Sequence, residues 1–262
     1  MATVADILKY IETVAPPYMA EDWDKIGLNC GRQNKEVNKI LVALDPFPHV
    51  CQEAIDIGAD LLVTHHPLIW EPGFITDTTI QGQCVLTLLE HGIAHISAHT
   101  NLDCAPGGVN DTLAARLGLR DVSVIAPKGM DDHGTEWGLM RIGTVDTQPL
   151  EQFLSTVKDT LRCNGLRYVC SRKPVFRVAV GGGACGSELL DAVNAGCDTF
   201  ITADVKYNQF CDAKELGINL IDAGHFHTEN PVCAVLAEML TAAFPDVEIR
   251  LAQNHKDCIK YC

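Results

Sequence analysis

The sequence predicts an α/β protein of two related α/β domains, with mostly parallel sheets covered by helices. Short apolar runs alternate with stretches of helical periodicity, which is typical of strand–helix–strand units. The same pattern occurs twice along the chain. The length of 262 residues and the hydrophobic content of 47% suffice for two ordinary domains.

The first half begins with an amphipathic helix in MATVADILKYIETVAP and continues with three strand–helix alternations. The spacing of apolar residues predicts helices over residues 48–58 and 80–92. The predicted strands are 39–44, 60–64 and 94–98.

The second half repeats this alternation of strands and helices. GADLLVTHH (58–66) matches GCDTFITAD (196–204) without a gap, and each is preceded by a helix and a strand. Where the first copy has His65-His66, the second has Ala203-Asp204, which favours a special role for the histidines over a packing requirement of the fold. Residues 126–137 are the most loop-like and predict the crossing between domains, and a helix over 230–243 and a strand over 247–252 complete the chain.

The composition restricts the binding partners of the protein and its cellular environment. A formal charge of −14 makes nucleic acid an unlikely partner, since an acidic surface repels phosphates. No apolar run approaches the roughly 18 residues of a membrane span, and the first residues lack the pattern of a signal peptide. The 12 cysteines form no CxxC pair, and many lie inside apolar patterns, which predicts thiols in a reducing, cytoplasmic protein.

Three histidine-rich segments follow predicted strands. They are His65-His66, the turn HTNLD with His99 and Asp103, and GHFHTE with His225 and Glu229. Ligands of parallel sheets bind at the carboxyl ends of strands, and imidazole with carboxylate suits Zn, Mn, Fe or Ni. His225 and Glu229 are four residues apart and would share one helix face. A metal site is therefore predicted, whereas His91, His95, His133 and His255 are interpreted as ordinary hydrogen-bonded or exposed histidines.

Five motifs give the chain a resemblance to a known family. They are EDWDKIGL (21–28), LVTHHPLIW (62–70), AHTNLD (98–103), TADVKY (202–207) and GHFHTE (224–229). Together they resemble the YbgI-like proteins, the GTP cyclohydrolase 1 type 2 homologues, over about residues 3–252. The resemblance implies two α/β domains with a dinuclear metal site at the domain interface, and a homohexamer built as a ring of dimers.

The resemblance also implies individual roles. His65 and His66 would each bind one of two divalent ions, with Asp103 as a third ligand. His225 would bind one ion, and Glu229 would contact or bridge both. His99 would orient a ligand or a bound water, and either His99 or Glu229 would move a proton during catalysis. This ligand set predicts one domain from residues 1–125 plus 225–262, with 126–224 inserted as the second.

The chain departs from the family pattern outside these ligands. Lys25 stands where an asparagine is usual, Met140 replaces a glycine, the TGD turn reads Thr202-Ala203-Asp204, and Asn208 stands where a histidine is frequent. These departures concern the shape of the substrate cleft, so they put the transfer of a particular substrate in doubt.

The predicted activity is metal-dependent hydrolysis, in which metal-activated water attacks a nucleotide-like substrate. Ring opening of GTP at C8 is one version and phosphoester hydrolysis is another. A metal-binding oligomeric scaffold or regulatory protein without turnover is the alternative from a different class. GGGACGS (181–187) could hold a phosphate, although a tight strand-to-helix turn is the simpler interpretation, and Cys104 is a weak candidate nucleophile.

Overall fold

A computed structural model describes residues 1–71 and 73–262 of the chain. The strands are β1 (Ala2–Thr3), β2 (Gly27–Cys30), β3 (Glu36–Val37), β4 (Lys39–Ala43), β5 (Leu61–Thr64), β6 (Ala94–Ser97), β7 (Arg120–Ile125), β8 (Gly129–Met130), β9 (Glu136–Trp137), β10 (Met140–Gln148), β11 (Arg167–Val169), β12 (Val175–Val180), β13 (Thr199–Thr202), β14 (Asn219–Asp222) and β15 (Glu248–Leu251). The helices are α1 (Val4–Val14), α2 (Pro48–Asp56), α3 (Ile80–Glu90), α4 (Thr100–Cys104), α5 (Val109–Arg116), α6 (Leu150–Leu161), α7 (Leu189–Asn194), α8 (Tyr207–Leu216), α9 (His225–Glu229) and α10 (Pro231–Ala243). Short 3-10 turns occupy Pro17–Met19 and Cys185–Glu188.

The chain divides into two compact units. The first comprises Met1–Ala105 and Val232–Lys256, and the second comprises Pro106–Pro231 and Asp257–Cys262. The structure therefore confirms an α/β protein with a repeated architecture.

The first unit contains a five-stranded sheet in the order β15-β4-β5-β6-β2. Strands β15, β4, β5 and β6 run parallel, and β2 joins the edge antiparallel. All four residues of β5 (LLVT) are buried, as expected for a parallel strand with both faces covered. Helices α2 and α3 pack on one face through a core that includes Leu62, Val50 and Leu88.

The second unit contains a six-stranded sheet in the order β11-β14-β13-β12-β10-β7. Its centre, β12-β13-β14, is parallel, while β10, β7 and β11 add antiparallel pairs. A core around Phe153, Val157 and Val178 covers one face, and Phe200, Leu189 and Ala213 belong to the core on the other.

The internal repeat is visible in hydrogen bonds as well as in strand order. The side chain of Asp60 accepts bonds from the backbone amides of residues 38 and 39, at the start of β4. Asp198, its counterpart in the second copy, accepts bonds from the amides of residues 176 and 177 in β12. Each copy also ends in a five-residue helix, α4 or α9, directly after its third parallel strand. The two halves therefore share their architecture down to the residue that aligns neighbouring strands.

The domain boundaries differ from the predicted ones. Residues 106–125, predicted to lie in the first domain, lie in the second unit because Leu113 and Leu117 of this segment pack against Phe153 and β7 pairs with β10. Residues 225–231 and 257–262 also lie in the second unit, so His225 and Glu229 are not part of the first domain as predicted. The loop predicted as the crossing point, 126–137, instead carries the β8–β9 hairpin.

The structure agrees with two expectations from the composition, which concern the cysteines and membrane-spanning helices. Cys51, Cys84, Cys163, Cys197 and Cys233 are buried as thiols, which confirms that they are core residues. Within residues 1–71 and 73–262, no helix has the length and apolar character needed to cross a bilayer.

Candidate metal centre

The first unit brings three of the predicted histidines together. His65 and His66 follow β5, and His99 follows β6, which pairs with β5 in parallel up to Thr64 and Ser97. Each ring offers a nitrogen within 4.8 Å of those of the other two. Both strands end at the same edge of the sheet, so the register of the parallel pair creates this cluster.

The Nδ1 atoms of these three rings are all held by oxygen atoms. His65 Nδ1 lies 2.9 Å from the carbonyl oxygen of Ala98, His66 Nδ1 lies 2.6 Å from Oδ1 of Asp45, and His99 Nδ1 lies 2.9 Å from Oδ1 of Asp24. A carbonyl or carboxylate oxygen only accepts hydrogen bonds, so each Nδ1 carries a proton and donates it. In the neutral ring, Nε2 then bears the lone pair that binds metal, and carboxylate support of this kind is usual for metal-binding histidines.

The two aspartates are held in the ionised form. Burial alone would raise the pKa of Asp24, but its hydrogen bond and charge interaction with His99 and the two donors of Thr100 outweigh burial and lower the pKa to about 2. Asp45 is half-buried, which alone would raise its pKa, but its hydrogen bonds and charge interactions with His255 and His66 lower its pKa well below the usual range. Both carboxylates therefore remain acceptors at neutral pH.

Asp45 belongs to a longer chain of side chains. Its Oδ2 atom lies 2.7 Å from Nε2 of His255, and Nδ1 of His255 lies 3.2 Å from Nε2 of His49. Because one oxygen faces His66 and the other faces His255, the carboxylate is fixed in plane. The orientation of His66 is thus set by residues from β4's end and from the C-terminal segment of the same unit.

Asp103 extends the cluster with a carboxylate. It lies in α4, is buried, and places Oδ1 3.5 Å from Nε2 of His65. An imidazole nitrogen and a carboxylate oxygen therefore face each other in a buried position. Both are atoms that bind divalent cations in proteins.

The second unit repeats this arrangement on a short helix. His225 and Glu229 lie on one face of α9, with His225 Nε2 2.9 Å from Oε2 of Glu229. Nδ1 of His225 lies 2.7 Å from Oδ2 of Asp204. Asp204 occupies the position that His66 has in the first copy, so the second copy uses that position to orient a histidine. An imidazole Nε2 and a buried carboxylate again lie side by side.

The glycine-rich turn of the second unit packs against this pair. A Cβ atom at Gly183 would lie 2.0 Å from Oε1 of Glu229 and 3.2 Å from Nε2 of His225, and the residue has φ of +61°. The amides of Gly182, Gly183 and Cys185 donate to the side chains of Asn110, Thr228 and Thr202. GGGACGS therefore uses these donors internally and lies beside a carboxylate, which favours the simple turn over a phosphate site.

Comparison with known proteins supports one family. The family model for Duf34/NIF3 (NGG1p interacting factor 3) matches residues 2–258. The chain is a member of the Duf34/NIF3 family. It is 34% identical over 260 residues to a Clostridium perfringens protein named "GTP cyclohydrolase 1 type 2 homolog", covering 98% of each chain.

Solved structures resemble this Duf34/NIF3 member over its full length. A Bacillus cereus protein related to NIF3 has a TM-score of 0.94 at 26% identity and covers 100% of this chain and 99% of its own. A Staphylococcus aureus hypothetical protein has a TM-score of 0.91 at 28% identity, with 99% of both chains covered. The resemblance stated from the motifs is therefore confirmed.

The predicted site residues of this family member fall into two sets. His65, His66, His99 and Asp103 lie in the first unit, and His225 and Glu229 lie in the second. His99 was assigned an orienting role, yet its Nδ1 is held as firmly as those of His65 and His66, and it lies among them as a potential ligand. The ligand and catalytic roles themselves remain predictions.

Sequence reasoning missed the residues that orient the histidines. Asp24, Asp45, Asp204 and His255 were not assigned to the site, and His255 was interpreted as ordinary. Asp45 is the second residue after β4, as His66 is after β5, so its strand-end position was a usable signal. His255 had no such signal, because it lies beyond β15 in a segment without regular structure.

Proposed function

We propose that this Duf34/NIF3 protein is a dinuclear metal-dependent hydrolase. In this proposal His65, His66 and Asp103 of the first unit and His225 and Glu229 of the second hold two divalent ions. The observation that supports it is the common state of the histidines: each Nδ1 donates to an oxygen atom, and Nε2 of His65 and of His225 faces a carboxylate. Mixed nitrogen and oxygen donors fit Zn, Mn, Fe or Ni.

In this proposal, different residues of the chain orient the histidines and transfer the proton. Bound divalent ions would lower the pKa of water and stabilise negative charge on the reacting group. Asp24 and Asp45 keep the Nδ1 proton on His99 and His66, so that these rings present Nε2. We assign proton transfer to Glu229, or to Nε2 of His99, because both are carried by helices or strand ends with fixed backbone and are largely shielded from water.

The proposed substrate is nucleotide-like. The name of the Clostridium perfringens relative refers to GTP cyclohydrolase. For this chain, opening of the guanine ring at C8 with release of formate is the version proposed first. A phosphoesterase would instead release phosphate from the same class of compound, and a metal-binding scaffold would release neither.

One set of assays separates these functions. Purified protein is loaded with Zn, Mn, Fe or Ni in turn, and loss of GTP, formate release and phosphate release are measured. We expect metal-dependent turnover that His65→Ala abolishes while His91→Ala, a surface histidine variant, retains it. Metal binding without turnover of any nucleotide or phosphoester would overturn the hydrolase and leave the scaffold.

We also propose that the protein assembles as a homohexamer, a ring of dimers, in the reducing cytoplasm. The family resemblance supports the assembly, and seven cysteines that are buried as thiols among the described residues support the setting.

A further inference from the structure

Two tryptophans of the first unit lie beside the same histidine of the candidate metal centre. The ring of Trp70 contacts that of His99 with centroids 5.2 Å apart and planes at 85°, and Trp23 contacts it at 6.0 Å and 68°. Trp70 also lies 6.3 Å from the ring of His66. Two indole rings thus lie next to the histidine cluster.

Both indoles remain open to solvent. Trp23 is 57% exposed and Trp70 is 45% exposed, whereas His99 is buried. The ring contacts with His99, and for Trp70 also with His66, leave much of each indole surface open to solvent. An open indole face can stack on a ligand ring. Core packing therefore does not account for either ring.

The backbone that carries each tryptophan is held in place. Next to Trp23, the carboxylate of Asp24 accepts hydrogen bonds from the backbone amide and the hydroxyl of Thr100 and from His99. The amide of Trp70 donates to Oε1 of Gln81 at 3.1 Å, and the nearby amide of Leu68 donates to Asn29 at 2.8 Å. Both rings are therefore presented on anchored segments, which reduces the entropy lost when a ligand binds them.

We propose that Trp23 and Trp70 form an aromatic platform that stacks a planar aromatic ring of the substrate beside the candidate metal centre. This inference rests on the proposed function and narrows its substrate to compounds that carry such a ring. Stacking on an indole tolerates different ring systems because each has a π face. The platform therefore selects a ring-bearing substrate over a ring-free phosphoester.

The test compares ring compounds with ring-free anions. Guanosine, GTP, pterin, riboflavin and a pyridine nucleotide are titrated into metal-loaded protein, with ribose 5-phosphate and tripolyphosphate as ring-free probes. Tryptophan fluorescence and calorimetry report binding. We expect at least one ring compound to bind more tightly than both ring-free probes and to quench fluorescence.

Substitutions of the two tryptophans test whether the ring compound binds at the platform. Trp23→Ala and Trp70→Ala should each weaken binding of that compound about tenfold, and Trp23→Phe and Trp70→Phe should retain most of it. Tyr207→Ala, which removes an exposed aromatic ring of the second unit, is the matched control and should bind as the wild type does. The platform is overturned if no ring compound exceeds the ring-free probes, or if both alanine variants bind with wild-type affinity.

The experiments distinguish failure of the proposed function from failure of the aromatic platform. Elemental analysis of each variant should show unchanged metal content, since neither tryptophan is a ligand. If the wild type holds no metal, the hydrolase proposal fails, while the same titrations on metal-free protein still test the platform.

Discussion

At the residue scale, the state of each candidate ligand is set by its hydrogen-bond partner. His66 presents Nε2 because Asp45 accepts the Nδ1 proton, and Asp45 is in turn fixed by His255. Residues outside the predicted ligand set thus orient the candidate ligands.

Asp45→Asn tests this preparation. The amide lacks the charge that favours the Nδ1–H form and cannot accept from both His66 and His255 as strongly, so metal affinity should fall about 10- to 100-fold. Isothermal titration with Zn or Mn measures it. Asp56→Asn, on the exposed side of α2, is the control. Equal affinity in Asp45→Asn and the wild type would refute the positioning role.

The burial of His95 predicts that the free energy of unfolding depends on pH. It is completely buried, and burial lowers its pKa from 6.5 to about 3. The unfolded chain therefore binds one more proton than the folded chain between these values, so the free energy of unfolding should fall as pH falls from 6.5 toward 3. Asp24, with its pKa of about 2, contributes only below its ordinary value of 3.8.

Denaturant unfolding between pH 7 and pH 4.5 checks this. His95→Gln should show a shallower loss of stability than the wild type in that range, because the titrating group is gone. Parallel pH profiles for the two proteins would contradict the assignment.

At the element scale, the second unit depends on close approach between the β12–α7 turn and α9. Gly183→Ala should weaken metal binding strongly, because its Cβ would displace Glu229 and approach His225. Gly196→Ala is the matched control, since Gly196 also has positive φ (+76°) but nothing lies within 4 Å of its Cβ position. Both should lose about 1–2 kcal/mol of stability from backbone strain.

The two glycine variants separate strain from site geometry. Only Gly183→Ala should lose metal affinity in a titration. Loss of affinity in both, or in neither, would contradict the account of the turn.

A partly buried ion pair, in which Arg141 is buried and Asp111 is half-buried, joins α5 to β10 in the same unit. Arg141 donates to both carboxylate oxygens of Asp111, at 2.7 and 3.0 Å, and to the carbonyl of Gly138 at 2.7 Å. Arg141→Lys cannot reproduce this planar geometry and should destabilise the protein by about 3 kcal/mol. Arg120→Lys, in an exposed pair with Asp146, should cost less than about 0.5 kcal/mol. Chemical denaturation would measure both, and equal effects would contradict the burial argument.

Helices and strands were predicted well where the apolar residues recur regularly or where a glycine marks the end of a helix. Apolar runs such as LLVT identify buried strands, and Gly58 identifies a helix end, because both depend on local chemistry. His225 and Glu229 were predicted to share one helix face, and they do so on α9, a five-residue helix separate from α10. Its pairing with the Gly183 turn depends on contacts across 45 positions, which local patterns do not encode.

At the scale of the whole molecule, the repeat was predictable and the boundaries were not. The match between residues 58–66 and 196–204 reflects two copies of one strand–helix pattern. The unit to which 106–125 belongs is decided by packing of Leu113 against Phe153, which no local signal reveals. The predicted ligand set assigned His225 and Glu229 to the first domain, whereas both lie in the second unit.

The proposed assembly has a direct test. Light scattering of the purified protein should give six times the chain mass of 28.5 kDa. A monomer at micromolar concentration would contradict the homohexamer.

The central claim is that the candidate metal centre binds two divalent ions. Elemental analysis of metal-saturated, desalted protein tests it most directly. The account predicts about two ions per chain in the wild type and fewer in His65→Ala and His66→Ala. One ion or none per wild-type chain, or full occupancy in a His65→Ala/His66→Ala double variant, would contradict it.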